Sequence, residues 1–326
     1  MCTAISFKTK NHYFGRTLDL EYHYNESVVI TPRNFPFVFT NKSESKHHLA
    51  LIGIATVMDS YPLYYEATNE AGLSMAGLNF PGNAVFHPID KDKENVAPFE
   101  FIPYILTQCK SVDEAKMLLT NINLADIDFR PDLKAAPLHW IISDKNESIT
   151  VESVKEGFKI YDNPIGVLTN NPPFDWHMTN LANYINLTPE EPENAFAPSE
   201  EIRTFSKGMG AVGLPGDFSS ASRFVRVAFT KLNSVCGDGE EESVNQFFRI
   251  LGTVFNVRGS VRLADNKYQT TIYTSCCNTD KGIFYYTTYE NPQICVIDMH
   301  KENLDGDRLY EYPLDHTLKF LTNSGV

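Results

Sequence analysis

The order of strand-like and helix-like segments is the feature that most restricts how this chain can fold. Short runs rich in β-branched and aromatic residues fill the first eighty positions, separated by Asn, Gly and Pro, and they predict a sheet of paired strands. Two helices follow, then further strands, a second pair of helices and a last group of strands. This order predicts an α+β protein in which two antiparallel sheets lie between helical layers, a four-layer αββα sandwich.

Hydrophobic periodicity and end signals locate the individual segments. The predicted strands lie at residues 3–7, 13–16, 28–31, 49–58, 73–78, 138–143, 149–153, 158–161, 166–169, 269–277, 282–288 and 293–298. The predicted helices lie at residues 99–108, 112–121, 175–184, 224–232 and 244–255. The helix at 112–121 has a clear start, because Ser111 and Glu114 have the spacing of a capping box. The residues after 298 are predicted to form a polar tail.

The charge balance limits the partners that the chain can bind. With 28 basic and 41 acidic residues the net charge is −13, which disfavours nucleic acid or an anionic membrane as a partner. No apolar run reaches the length of a membrane-spanning helix, and no signal-peptide pattern is present. The six cysteines show no disulfide framework. We therefore expect a cytoplasmic protein with reduced thiols.

The second residue is a cysteine that becomes N-terminal if Met1 is removed. The α-amine and the thiol then belong to one residue, and in model peptides these two groups titrate within about one pH unit of each other. One residue can therefore supply both a nucleophile and a general base. Because many chains carry cysteine at this position by chance, the residues that follow decide the interpretation.

The first two predicted strands bring charged residues towards Cys2. A hairpin between residues 3–7 and 13–16 returns Arg16 and Asp19 to the start of the chain. A guanidinium near sulfur favours the thiolate, and a carboxylate near the amine can orient it by hydrogen bonding. A surface ion pair is the default for Arg16 and Asp19 alone, but beside Cys2 they indicate a catalytic cluster.

Several sequence blocks stand in order along nearly the whole chain. They are Met1-Cys2-Thr3, Phe14-Gly15-Arg16-x-Leu18-Asp19, Asn69-Glu70-x-Gly72-Leu73, Ala76-Gly77-Leu78-Asn79-Phe80, Leu168-Thr169-Asn170-Asn171-Pro172, Gly213-Leu214-Pro215-Gly216-Asp217 with Ser222-Arg223-Phe224, and Tyr286-Thr287-Thr288-Tyr289. Together they resemble the choloylglycine hydrolase family, which groups bile salt hydrolases with penicillin V acylases. The resemblance implies an N-terminal-nucleophile hydrolase. It also implies a single αββα domain over residues 1–326, removal of Met1 on maturation, and usually a homotetramer.

The resemblance further implies a set of catalytic residues, which are Cys2, Arg16, Asp19, Asn79, Asn171 and Arg223. Cys2 attacks an amide carbonyl in this scheme, with its own amine as the base and with no metal or cofactor. The neighbouring charged residues tune and orient Cys2. Asn79 and Asn171 supply oxyanion-hole donors, although Asn171 also suits a turn before proline.

The resemblance also places an apolar acyl pocket in loops near the nucleophile. The bulky residues at the corresponding positions are Leu18, Tyr24, Met58, Phe129, Leu133 and Leu138. Such side chains suit a rigid sterol, because burial of apolar surface favours binding by about 25 cal/mol per Å². We therefore expect conjugated bile salts of the glycocholate and taurocholate type as substrates, with recognition on the acyl side.

Other interpretations stay open. A penicillin V acylase is disfavoured by Asn79, because that branch of the family commonly has an aromatic residue there. A non-catalytic binder of amphipathic anions explains the pocket but not the polar cluster. A cysteine–histidine enzyme or a metal site is disfavoured because the candidate residues lack convincing ligand spacing. These candidates are His47, His48, His139, Cys276 and Cys277.

Residues 187–217 are unusual for a loop. They are rich in Pro, Glu and Gly, have little periodicity and are long for a passive connection. The segment suits an assembly arm that reaches a neighbouring subunit, and tetramers of the resembled family use a comparable excursion. A solvated loop is the alternative.

Overall fold

The computed structural model describes residues 1–40, 44–320 and 322. Its strands are β1 Cys2–Lys8, β2 His12–Leu20, β3 Ser27–Thr31, β4 Phe37–Val38, β5 Glu44–Ser45, β6 Leu51–Met58, β7 Tyr61–Asn69, β8 Ser74–Asn79, β9 Glu94–Val96, β10 Ile122–Leu124, β11 Leu138–Ser143, β12 Ser148–Val154, β13 Gly157–Asp162, β14 Val167–Leu168, β15 Val261–Arg262, β16 Tyr268–Asn278, β17 Ile283–Thr288, β18 Cys295–Asp298 and β19 Tyr310–Pro313. Its α-helices are α1 Phe101–Leu106, α2 Val112–Leu119, α3 Phe174–Asn180, α4 Ser220–Leu232 and α5 Glu240–Gly252. Within the described ranges, no helix is long and apolar enough to cross a membrane.

Two antiparallel sheets lie at the centre of the molecule. The first sheet has seven strands in the order β14-β1-β2-β16-β17-β18, with β15 paired to β16. The second has eight strands in the order β13-β12-β11-β8-β7-β6-β3-β19. Helices α4 and α5 pack on the first sheet, and α1 packs on the second. The predicted αββα sandwich is therefore confirmed.

Alternation along the strands explains why the second sheet is buried on both faces. On β11, Ile141 faces the core shared with the first sheet, whereas Trp140 and Ile142 face the core under α1 and α2. On β8, Leu78 and Met75 divide between the same two cores. Because successive side chains of a strand point to opposite faces, one apolar strand can supply both layers.

The helix predictions are close to the observed bounds. Ser111 caps α2, because its side chain accepts a hydrogen bond from the Glu114 N–H at 3.2 Å. The Glu114 carboxylate accepts from the N–H of Lys110 at 2.7 Å, one residue before the position of a reciprocal capping box. The helix predicted at 244–255 begins earlier and ends earlier, as α5.

Seven strands were missing from the prediction, namely β4, β5, β7, β9, β10, β15 and β19, and the longest of them is β7. Strand β7 pairs with β6 through a tight turn in which Asp59 and Ser60 have φ values of 51° and 62°. Positive φ at both central residues is typical of a type I′ hairpin, but the usual Asn-Gly or Asp-Gly signal is absent. The segment predicted to be a polar tail contains β19, which pairs with β3, and Leu314 beyond it is buried.

Candidate active site

The hairpin of β1 and β2 positions Cys2, as predicted. Cys2 is paired with Leu18, and Ala4 is paired with Arg16. Paired residues share a face of the sheet, so the side chains of Cys2, Arg16 and Leu18 point the same way. All three line one cavity of about 270 Å³, and Cys2 is only 2% exposed. The thiol is therefore open to a molecule in the cavity but shielded from bulk water.

Hydrogen bonds hold the start of the chain in place. With Met1 attached, the nitrogen of Cys2 is an amide nitrogen, and it donates to Oδ1 of Asn170 at 2.9 Å. The ammonium group of Met1 donates to the carbonyl oxygen of Asp19 at 2.7 Å, and the N–H of Asp19 donates to the Met1 carbonyl oxygen at 2.9 Å. Removal of Met1 would convert the Cys2 nitrogen into a primary amine beside Asn170.

The structure brings Asn170, rather than Asn171, to the nucleophile. Besides its contact with Cys2, Asn170 donates from Nδ2 to the carbonyl oxygen of Asn79 at 2.8 Å. Asn171 donates from Nδ2 to the carbonyl oxygen of Pro81 at 2.7 Å and accepts from Asn83 at 2.6 Å. The two neighbouring amides thus point to different sides of the chain, and the predicted role of Asn171 as an oxyanion-hole donor stays a prediction.

Arg223 connects α4 to the start of β1. Its fully buried guanidinium donates to the carbonyl oxygen of Cys2 at 2.5 Å, to Oγ1 of Thr3 at 2.7 Å and to Oδ1 of Asn170 at 2.6 Å. Burial lowers the pKa of Arg223, against the opposing effect of nearby negative groups. Ser220, in the first turn of α4, accepts from the N–H of Asn170 at 2.8 Å. The end of α4 therefore fixes both Cys2 and Asn170.

Asp19 is fully buried but lies on the other face of β2 from Arg16 and Leu18. Its Oδ1 accepts from Thr271 at 2.7 Å and its Oδ2 accepts from Thr17 at 3.3 Å. Among the described residues its carboxylate has no hydrogen bond with Cys2; the connection between the two segments runs through the backbone of Asp19 and Met1. The predicted role of Asp19 in orienting the amine thus stays a prediction.

Arg16 brings a buried positive charge to the cavity. Its Nη1 donates to the carbonyl oxygens of Tyr65 at 3.2 Å and Gly77 at 2.5 Å. Its Nη2 is buried and has no hydrogen-bond partner in the described part of the chain. Burial disfavours the charged form, but nearby negative groups outweigh it and raise the pKa of Arg16. A free guanidinium N–H is thus available to a negative charge at Cys2 or on a bound molecule.

Glu66 on β7 faces Arg16 and was missed by the sequence analysis. Its Oε2 lies 3.9 Å from Nε of Arg16, and its carboxylate accepts from Tyr273 at 2.7 Å and Ser275 at 2.8 Å. Burial raises the pKa of Glu66 to about 7, although these three neighbours act in the opposite direction. The signal available was a single acidic residue inside a strand of mostly apolar and aromatic residues.

The cavity beside Cys2 is largely apolar. The structure places every residue predicted for the acyl pocket on its wall, namely Leu18, Tyr24, Met58, Phe129, Leu133 and Leu138. Asn79 also lines it, and so do Tyr65, Phe99 and Trp140, which the sequence analysis did not identify. The same cavity contains Lys134, which is paired with Asp128 at 2.7 Å.

Two buried histidines, His139 and His177, lie next to the site but outside its cavity. His139 is buried and contacts Glu152 and the carbonyl oxygen of Thr169, each at 3.0 Å. Burial lowers the pKa of His177 to about 4, so its neutral ring donates from Nε2 to the carbonyl oxygen of Asn170 at 2.8 Å. In the described part of the chain, no histidine lines the cavity that contains Cys2. The geometry therefore gives no support to a cysteine–histidine pair.

Sequence comparisons agree with this arrangement. A family model for linear amide C–N hydrolases of the choloylglycine hydrolase family matches residues 2–312. A bile salt hydrolase/transferase of Lactiplantibacillus plantarum is 52% identical over 314 residues, which cover 96% of this chain and 97% of the relative. A bile salt hydrolase/transferase of Clostridium perfringens is 43% identical over 323 residues, which cover 98% of each protein.

Solved structures give the same result. The crystal structure of the C2A mutant of conjugated bile acid hydrolase from Clostridium perfringens matches with a TM-score of 0.92 and 41% identity, covering 99% of this chain and 100% of that one. Penicillin V acylase from Agrobacterium tumefaciens matches with a TM-score of 0.74 and 18% identity, covering 95% and 90% of the two chains. At that identity the second match shows a shared fold alone.

Proposed function

Since the chain belongs to the choloylglycine hydrolase family of linear amide C–N hydrolases, we propose that it cleaves the amide bond of conjugated bile salts, with Cys2 as the nucleophile. The observation that carries this proposal is the position of Cys2 in the wall of an apolar cavity, beside the buried cations Arg16 and Arg223. A nucleophile next to an apolar pocket suits a substrate with a large apolar acyl group.

The first step requires removal of Met1, which frees the α-amine of Cys2. The amine takes the thiol proton, and the sulfur attacks the amide carbonyl carbon to form a tetrahedral intermediate. Asn170 orients the amine through Oδ1, which lies 2.9 Å from the Cys2 nitrogen. Arg16, with its unpartnered Nη2, stabilises negative charge in the cavity.

The oxyanion of the intermediate needs fixed donors. Asn79 lines the cavity, and Asn170 contacts both Asn79 and Cys2. An amide group carries two N–H donors, so Asn170 keeps one free after donating to the carbonyl oxygen of Asn79. Asn79 and Asn170 are therefore the proposed donors, in place of the pair Asn79 and Asn171.

The intermediate then collapses. Its C–N bond breaks, and the leaving amine takes a proton from the α-ammonium group of Cys2, so that glycine or taurine departs. The acyl group stays on sulfur as a thioester. Water, activated by the same amine, attacks the thioester carbon; the C–S bond then breaks, the proton that the amine took from water passes to sulfur, and the free bile acid leaves with the other.

The acyl group is recognised by the apolar wall of the cavity. The wall joins parts of the chain that are distant in sequence: Tyr24 follows β2, Met58 ends β6, Leu138 begins β11, and Phe129 and Leu133 lie in the connection between β10 and β11. Burial of a sterol against them favours binding whichever amino acid is conjugated. We therefore expect glycocholate and taurocholate to be turned over at similar rates.

A substrate comparison tests this proposal. Chain lacking Met1 is incubated with glycocholate, taurocholate and penicillin V, and the released amine or penicillin nucleus is quantified. We expect faster release from both bile salts than from penicillin V. Much faster turnover of penicillin V would instead support the acylase alternative. Saturable binding without any release would support the non-catalytic binder.

The assembly is a further part of the proposal. Residues 187–217 carry apolar side chains in solvent, with Phe196 93% exposed and Phe205 87% exposed. Large exposed apolar groups on a segment with little regular structure suit burial against another subunit. We therefore propose that this segment is an assembly arm of a homotetramer built from single domains spanning residues 1–326.

A further inference from the structure

A second group of chemically capable side chains lies outside the active site. His23 lies between β2 and β3, Glu290 follows β17, and His316 follows β19. One potential ligand atom from each lies within 4.8 Å of the other two. The two imidazole rings are 4.8 Å apart, and Oε2 of Glu290 lies 3.1 Å from Nδ1 of His316. Three segments distant in sequence thus converge on one small volume.

Glu26 supplies an independent indication that this place binds a ligand. It is 4% exposed and lines the same open cavity, of about 500 Å³, as His23, Glu290 and His316. Its Oε1 accepts from the N–H of Tyr24 at 3.0 Å, whereas its Oε2 is buried without a hydrogen-bond partner. An unpartnered buried carboxylate oxygen is unfavourable, so a donor or a cation is expected beside it.

We propose that His23, Glu290 and His316 bind a divalent transition-metal ion of the Zn²⁺ class. Two imidazoles and one carboxylate are a common zinc donor set, with water completing the tetrahedron. Metal–ligand distances of about 2.1 Å place ligand atoms roughly 3.4 Å apart, so atoms now up to 4.8 Å apart must approach by up to about 1.4 Å. Rotation of partly exposed side chains can provide that movement.

Glu26 acts as the outer partner of His23 in this site. Its Oε2 lies 3.6 Å from Nδ1 of His23. A metal ion on Nε2 fixes the tautomer that carries its proton on Nδ1, and that N–H can donate to the unpartnered oxygen. Binding of the ion therefore also satisfies the buried carboxylate. Arg258 approaches Glu290 at 3.7 Å through the other carboxylate oxygen, Oε1, which leaves Oε2 for the ion.

An ion bound at this surface site would also affect the acyl pocket. His23 and Glu26 belong to the same connection as Tyr24, whose side chain lines the cavity of Cys2. A metal ion would fasten this connection to the segments that contain Glu290 and His316. It would thereby restrict the motion of one wall of the pocket without entering the catalytic centre.

Titration with Co²⁺, followed by Zn²⁺ competition, tests the proposal on the full chain with Cys2→Ala, which removes the reactive thiol as a ligand. We expect one saturable equivalent with ligand-field absorption of a tetrahedral site. Binding should weaken by more than about tenfold in each of three variants, His23→Ala, Glu290→Gln and His316→Ala. Loss of a residue that only orients a metal ligand already lowers metal affinity by about that factor. Glu26→Gln should weaken it by about 10- to 100-fold.

A matched control is His47→Ala, because His47 is exposed and contacts only Asn34 among the hydrogen bonds of the described residues. It should bind as the parent does. Hydrogen exchange gives a second measurement: Zn²⁺ should slow exchange at residues 21–26 in the parent but not in His316→Ala. Lack of saturable binding, or equal affinity in the parent and the three ligand variants, would overturn the proposal.

Discussion

At the scale of single residues, buried polar side chains from separate elements are held around Cys2. Arg16 comes from β2, Arg223 from α4, and Asn170 from the segment after β14. Each makes at least two hydrogen bonds, and none is more than 7% exposed. Low exposure strengthens their electrostatic effect on the nucleophile, because water screens it less.

Replacing each of the two neighbouring asparagines separately by alanine distinguishes their roles. Asn170→Ala removes a proposed oxyanion donor and the partner of the Cys2 nitrogen, so we expect kcat to fall by about 10²- to 10³-fold. Asn171→Ala serves as the matched control and should change kcat by less than about tenfold, since its amide contacts Pro81 and Asn83. Steady-state amine release from glycocholate measures both. Equal losses, or a larger loss for Asn171→Ala, would restore the original assignment.

The raised pKa of Glu66 predicts how the stability of the protein depends on pH. Its pKa rises from 4.5 to about 7 on folding, so the native state binds more protons than the unfolded state between these values. The free energy of unfolding therefore falls as pH rises through this window, by up to about 3 kcal/mol. Glu66→Gln removes the titration, so the variant should lose less stability between pH 4.5 and 8 in urea denaturation. Parallel pH curves for the two proteins would contradict this.

The sequence predicted which residues form the proposed site better than it predicted which side chains contact one another. Cys2, Arg16 and Arg223 could be found because rare polar residues stood in recognisable blocks. Asn170 and Asn171 carry identical side chains, so only the direction of each side chain separates them. Glu66 could not be assigned, because its partners on β16 lie more than two hundred positions away.

At the scale of elements, local signals predicted what they control. Alternation predicted most strands, and the cap at Ser111 predicted the start of α2. Strand β19 could not be found from local pattern, because it is short, half-exposed and paired with β3 from the other end of the chain. Its position depends on tertiary pairing rather than on propensity.

The cap of α2 should contribute to the stability of the protein but not to its activity. Ser111→Ala removes the acceptor for the N–H of Glu114, and we expect the free energy of unfolding to fall by about 1 kcal/mol. Ser111→Thr keeps a hydroxyl oxygen at this position, so the free energy of unfolding of this variant should fall by less. Urea denaturation measures the change, and turnover of glycocholate should stay as in the parent. A stability unchanged by Ser111→Ala would show that the hydrogen bond does not contribute.

At the scale of the whole molecule, distant segments converge on the proposed active site and on the proposed metal site. The active site joins β1, β2, β8 and α4, and the metal cluster joins the connection after β2 to the segment after β19. Such convergence cannot be derived from local sequence, and it explains why His23, Glu290 and His316 gave no motif. The order of strands and helices predicted the sandwich, and the resemblance supplied the set of catalytic residues, because both depend on the order of segments along the chain.

The assembly arm can be tested by removing its exposed apolar groups. Phe196→Ser combined with Phe205→Ser should reduce the native mass in light scattering, because these side chains are proposed to be buried between subunits. Met117→Ser is the matched control, since Met117 is 66% exposed and belongs to α2, outside residues 187–217. An unchanged mass in the double variant would assign residues 187–217 to a solvated loop.

Release of glycine from glycocholate by chain lacking Met1 tests the central claim, the role of Cys2, most directly. The measurement compares this protein with Cys2→Ala and with chain that retains Met1, after circular dichroism has shown that all three are folded. We predict turnover by the processed chain and a loss of roughly 10⁴-fold or more in both others, because the first lacks the nucleophile and the second lacks the free amine. Full turnover by folded Cys2→Ala protein would contradict the assignment of Cys2 as the nucleophile.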